Sequence, residues 1–106
     1  MIMDIGKIED PTIEDIAVKI QEEINENLVP NNHHVRTRND TVTLEVVTYS
    51  WVLDKTTMDD IVKILNKYGF VLHMIYNEHH NFRKKDVIKD YLILEFWDQD
   101  FVNLKE

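Results

Sequence analysis

Apolar residues recur with helical spacing along the first third of the chain. Ile13, Ile16, Ala17, Ile20, Ile24 and Leu28 fall on one stripe, and Glu14, Glu22, Glu23 and Glu26 take the other faces. An amphipathic helix is therefore predicted from about Thr12 to Leu28. Thr12 suits its N-cap, and Asp15 three residues later completes a weakened capping box. Pro30 with Asn31 and Asn32 stops the helix, and His33 to Arg38 reads as a short strand that turns at Asn39-Asp40. From Thr41 to Leu53 the chain is rich in β-branched and aromatic residues. Its apolar positions are even at first (Val42, Leu44, Val46) and odd afterward (Val47, Tyr49, Trp51, Leu53). Strand side chains alternate faces, so this change of phase implies a bulge or a strand covered on different faces in its two halves.

The second half follows the same plan. A helix is predicted from Thr57 to Tyr68, ending at Gly69 as a left-handed cap. Phe70 to Tyr76, apolar except for His73, reads as a central strand, and Asn77 to Asp90 as a polar, basic connection. The last strand, Tyr91 to Trp97, places Leu92, Leu94 and Phe96 on one face and Tyr91, Ile93, Glu95 and Trp97 on the other. The tail from Asp98 carries Phe101 and Leu104 and is expected to dock as a short turn. The two halves also echo one another. Thr12-Ile13-Glu14-Asp15-Ile16 returns as Thr57-Met58-Asp59-Asp60-Ile61, Leu44-Glu45-Val46 as Leu94-Glu95-Phe96, and each helix precedes a histidine pair, His33-His34 or His79-His80. A period of about 45 residues fits a supersecondary unit that buries its apolar face on a copy of itself.

The order helix, hairpin, helix, hairpin predicts an α+β domain over residues 1–106. Its two helices pack on one face of a mainly antiparallel four-stranded sheet, with a pseudo-twofold relating the halves and residues 1–10 and 98–106 as flexible or docking ends. At 106 residues there is room for one core, and 43% apolar content is that of a folded chain. No stretch has the length and apolarity of a membrane span or a signal peptide, which leads to the expectation of a cytoplasmic or otherwise intracellular protein. The bias toward Asn, Ile, Lys and Asp fits an AT-rich genome, such as that of a virus or mobile element.

Charge and chemistry narrow the function only by exclusion. The chain has no cysteine, which removes disulfides, thiolate nucleophiles and cysteine zinc sites, and its only glycines are Gly6 and Gly69, which removes phosphate-cradling loops. His33-His34 and His79-His80 lack a ligand spacing, and neighbouring strand residues point to opposite faces, so each pair offers one imidazole to a common site. They are expected to be solvated loop residues, with no metal and no cofactor, and His73 to be a core or interface histidine. Glu45 and Glu95 sit mid-strand between apolar neighbours. As a pair they could serve acid-base chemistry, but no nucleophile or metal triad accompanies them, and ion pairing or solvent exposure is the plainer expectation. The chain is therefore not expected to be an enzyme.

What remains is binding. Tyr49, Trp51, Tyr91, Ile93 and Trp97 are expected to project from the helix-free face as an aromatic surface too large to leave wet, most simply the interface of a homodimer. The formal charge of −8 is concentrated in the first 30 residues. Glu14, Glu22, Glu23 and Glu26 would then present a carboxylate face to a basic protein, which the small dimer regulates or inhibits. Two rival readings stand beside this one. Arg36, Arg38, Arg83, Lys84 and Lys85 gather in the His-rich segments and could grip nucleic-acid phosphates, with Phe82 stacking on a base. A small-ligand sensor using the sheet face of an α+β dimer is the other.

Overall fold

The structure, a computed structural model, describes residues 12–28, 32–49, 53–82 and 87–105, and within these all side chains except those of 80–82, 87–89 and 105. The elements run α1 (Ile13–Asn27), β1 (His33–Thr37), β2 (Thr43–Tyr49), α2 (Lys55–Lys67), β3 (Phe70–Phe82), β4 (Val87–Asp98) and α3 (Gln99–Lys105). The sheet has the order β1-β2-β4-β3, and every neighbouring pair is antiparallel. β2 and β3 are thus parallel with β4 between them, so that β2, α2 and β3 form a split β-α-β unit. The order is unchanged when the two halves are exchanged, as the internal echo requires.

One core joins the helices to the sheet. Ile13, Ala17, Ile20 and Ile24 of α1 and Ile61, Ile64 and Leu65 of α2 pack with Val35, Leu44, Val46, Phe70, Leu94 and Phe96. The alternation of the strands makes this possible, because Val35, Val46 and Leu94 fall in one cross-strand row and Leu44 and Phe96 in the next. Complete burial of side chains of this size stabilises by roughly 1.5–3 kcal/mol each. α1 begins as expected, with the Thr12 hydroxyl accepting from the Asp15 N–H at 3.2 Å and the Asp15 carboxylate accepting from the Thr12 N–H at 3.4 Å.

Several boundaries differ from the sequence reading. α2 begins at Lys55, two residues before Thr57, because Asp54 caps it by accepting from the Thr57 N–H at 2.8 Å. A carboxylate suits the positive helix terminus better than a hydroxyl does, so Thr57 becomes the third residue of the first turn. The two Thr-x-x-Asp motifs are therefore not equivalent. The strand echo is different, since Leu44-Glu45-Val46 and Leu94-Glu95-Phe96 face each other antiparallel, with Glu45 opposite Glu95.

β3 is an edge strand rather than a central one, and it continues to Phe82 through residues read as a connection. β4 likewise starts at Val87, so the β3–β4 ribbon runs on beyond the pair Glu78 and Tyr91 to Phe82 and Val87. The bulge lies in β3 between Leu72 and Met74, and β2 pairs without interruption from Thr43 to Tyr49. The phase change in β2 instead reflects cover on both faces, with Thr43, Glu45 and Thr48 buried beside Leu44 and Val46. The tail is helical, and its Phe101 ring meets Trp97 edge-on at 5.6 Å.

Gly69 terminates α2 with φ +88° and has open space where a Cβ would stand. Replacing Gly69 with Ala is expected to cost about 1 kcal/mol through backbone strain alone, read as a lower urea midpoint with an unchanged slope.

Candidate functional site

The sheet face away from α1 and α2 carries a closed set of charges. Arg36, Glu45, Glu95 and Met74 form one cross-strand row, with Val47, Ile93 and Tyr76 in the row beside it. Glu45 and Glu95 stand directly opposite each other on the two central strands, and both are buried, at 2% and 5% exposure. Two carboxylates placed like this repel strongly unless cations and donors meet them. β1 and the residue that follows it supply the cations. Arg36 Nε lies 2.6 Å from Glu45 Oε1, and Arg38 Nη1 lies 2.8 Å from Glu95 Oε1 and 3.6 Å from Glu45 Oε2. The Tyr76 hydroxyl donates to Glu45 Oε2 at 2.5 Å, and the Trp97 indole N–H donates to Glu95 Oε2 at 2.8 Å. Arg36 reaches on to Glu78 at 3.3 Å.

The titration directions follow from this packing. Burial works against the Arg36 charge, yet its hydrogen bond and attraction to Glu45, with Glu78 beyond, hold its pKa above the ordinary guanidinium value. Burial and the Glu45 carboxylate both raise the Tyr76 phenol, which stays a donor at neutral pH. Every oxygen of Glu45 and Glu95 thus has a donor. Each carboxylate oxygen receives one such donor and keeps further lone-pair capacity, so what the arrangement supplies is charge pairing across the sheet. Among the described residues no three histidine, aspartate or glutamate side chains gather into a metal-binding group.

Aromatic rings occupy the rest of this face. Tyr49 and Tyr91 stack at 5.2 Å, and His73, the extra residue of the β3 bulge, stacks on Trp97 at 3.5 Å. Of the five residues expected at a dimer surface, Ile93 is fully buried within the single chain and offers no area. Tyr49, Tyr91 and Trp97 are half-buried, and Trp51 lies outside the described residues.

The histidine pairs do not converge. His33 and His79 lie on the two outer strands with β2 and β4 between them, which separates them by about 14 Å of strand spacing. His33 is buried, 2.7 Å from the Thr48 hydroxyl, whose own proton goes to the Asn32 carbonyl. His33 is therefore a buried strand residue and not a solvated loop one, whereas His34 and His79, also on strands, are exposed, His79 pairing with Asp90 at 2.5 Å.

Of the acidic set, Glu14, Glu22 and Glu26 are exposed on α1. Glu23 instead turns inward to bridge the helices, taking Lys67 and the Tyr68 hydroxyl, and the Lys67 hydrogen bond lowers its pKa despite some burial. Among the cations, Arg36 and Arg38 are taken up by the carboxylates, and Arg83, Lys84 and Lys85 lie outside the described residues. An open cleft of about 500 Å³ runs between α1 and β1, lined by Ala17, Val18, Gln21 and His34 among others. It lies at the sheet's edge and not on the face where a ligand site was expected. No family model, curated protein or solved structure matches the chain.

The network as a unit was missed from sequence, although its signal was present. A hairpin centred just after Asp40 places Arg36 opposite Glu45, and Arg38 follows just past the strand.

Two measurements test this assignment. Glu45→Ala is expected to destabilise by about 2–4 kcal/mol, at the lower end if the half-exposed Arg36 and Arg38 rehydrate, against less than about 0.5 kcal/mol for Glu14→Ala. For His33, burial lowers the folded-state pKa below the unfolded value of about 6.5, so the unfolded state binds the proton first as pH falls. Stability held above that value is lost toward the folded pKa. Urea midpoints at about pH 7 and about pH 5 should therefore differ more for the native chain than for His33→Gln.

Proposed function

We propose that this protein is a non-enzymatic interaction protein that docks a basic protein partner against α1. One observation carries the reading. Glu14, Val18, Glu22 and Glu26 succeed one another at intervals of four residues, which puts them in a single row along the helix, and Val18 is 58% exposed within it. An apolar side chain flanked by carboxylates gives such a row both halves of a docking surface: area to bury and charge to steer. Two other parts of the helix are committed elsewhere. Its opposite side carries the core residues, and Glu23 is held by Lys67 and Tyr68.

A surface of this kind competes for basic patches on other macromolecules, including patches that otherwise hold nucleic acid. That is how a small acidic protein of net charge −8 would regulate or inhibit its target. The nucleic-acid reading is weaker, because engaging phosphates with Arg36 and Arg38 would strip buried carboxylates of their counter-charges.

The test is capture from native-host extract on the immobilised protein, with Glu22→Lys/Glu26→Lys as the comparison. The expected result is a basic protein retained at about 50 mM salt, released by about 500 mM, and absent from the variant. Identical recovery on both proteins would refute the α1 surface. These positions are exposed, so thermal unfolding of the variant should stay close to that of the native chain.

A further inference from the structure

The two outer strands of the sheet are treated differently. β1 is guarded by α1. The Gln21 side-chain amide donates to the His33 carbonyl at 2.9 Å and accepts from the Val35 N–H at 2.7 Å, taking the hydrogen bonds that an added strand would take. β3 is the other terminal strand, and among the described residues nothing pairs with its outer edge. Leu72, Met74 and Ile75 stand 36%, 46% and 42% exposed along it. From Phe70 to Asn77 the strand holds no aspartate, glutamate, lysine or arginine. Sheets ordinarily charge, shorten or cover such an edge, because exposed N–H and C=O groups beside apolar side chains are a template for another strand. The bulge at His73 interrupts only its first part.

We propose that β3 pairs over Met74 to Tyr76 with the same residues of a second copy, antiparallel about a twofold axis, making one eight-stranded sheet from two four-stranded ones. The distribution of charge selects a second copy as the occupant. α1, over β1, carries five acids and one lysine, whereas α2, over β3, carries two acids and three lysines. Joining at β3 brings the two near-neutral α2 helices together and leaves the acidic α1 helices at opposite ends. It thus relieves the repulsion that a charge of −8 per chain would impose elsewhere. A basic peptide would find no row of carboxylates at this edge.

The geometry also selects a register. Residues directly opposite in an antiparallel pair share a face, so the axis passes through a residue and not between two. An axis through Ile75 sets it beside its copy on the helix-bearing face, next to Leu72, and sets Met74 beside Tyr76 of the second copy on the other. The apolar edge residues from Met74 to Tyr76 then meet apolar surface. This pairing uses a different surface from α1, so either can hold without the other.

The test begins with sedimentation of the native chain between about 1 and about 100 µM. Twice the 12.7 kDa chain mass is expected, and Ile75→Lys should return the single-chain mass with an unchanged far-ultraviolet spectrum. The chain has no cysteine, so Ile75→Cys treated with a short bis-maleimide should give a covalent dimer, while Val18→Cys on the exposed side of α1 should not. A single-chain mass over the whole range overturns the proposal. So does a dimer that survives Ile75→Lys or leaves Ile75→Cys uncrosslinked, since it must form through another surface.

Discussion

Two glutamates held side by side at the centre of the sheet set the terms for everything around them. Glu45 and Glu95 occupy directly opposed positions on β2 and β4, the two central strands. With side chains alternating between faces, a slip of one residue along either strand would turn its glutamate toward Ile20, Leu65 and Phe96 in the apolar core. The network thus opposes a one-residue slip that a purely apolar pairing would resist less strongly. Much of its Coulomb gain repays desolvation.

The same pair explains the two arginines of β1 and its C-terminal end, Arg36 within the strand and Arg38 just past it. Arg38 binds Glu95 at 2.8 Å from the end of a strand that does not pair with β4, so its side chain reaches across β2 and ties the outer strand of one half to the centre of the other. Arg36 reaches farther still, to Glu78 on β3. All four strands are thus joined by side-chain charges on one face and by a shared core on the other. The exposed features lie at the rims: the row along α1 and the apolar side chains of β3. Among the described residues no helix is long and apolar enough to cross a membrane.

How much of this could be read from the chain depended on whether the deciding interaction was local. The α1 stripe, its Thr12 cap and the positive φ at Gly69 are set by residues within a turn or two of each other, and the sequence reading matched them. Where competing local signals met, the stronger one won, as Asp54 did over Thr57. β3 was misplaced for a different reason. Periodicity records which residues are apolar and not which strands flank them, so an apolar run from Phe70 to Tyr76 looks like the centre of a sheet whether or not a neighbour is present on both sides. The charge network needed the β2–β4 register, a contact across 50 residues, before two separate glutamates became one site.

The internal echo gains its meaning from this register. Its centre coincides with the Glu45–Glu95 pair, where residues of the two halves meet as equivalents. Symmetry about that point would make β1 and β3 alike, and they are not. β1 has Gln21 laid along its backbone and, with the residue after it, two arginines laid over the buried carboxylates; β3 has a bulge, a histidine stacked on Trp97 and an apolar edge turned outward. A sheet whose strand order is symmetric and whose rims are unequal has, among the described residues, one covered edge and one open edge. A single open edge permits pairing to form a closed twofold assembly, whereas two open edges would permit sheets without end.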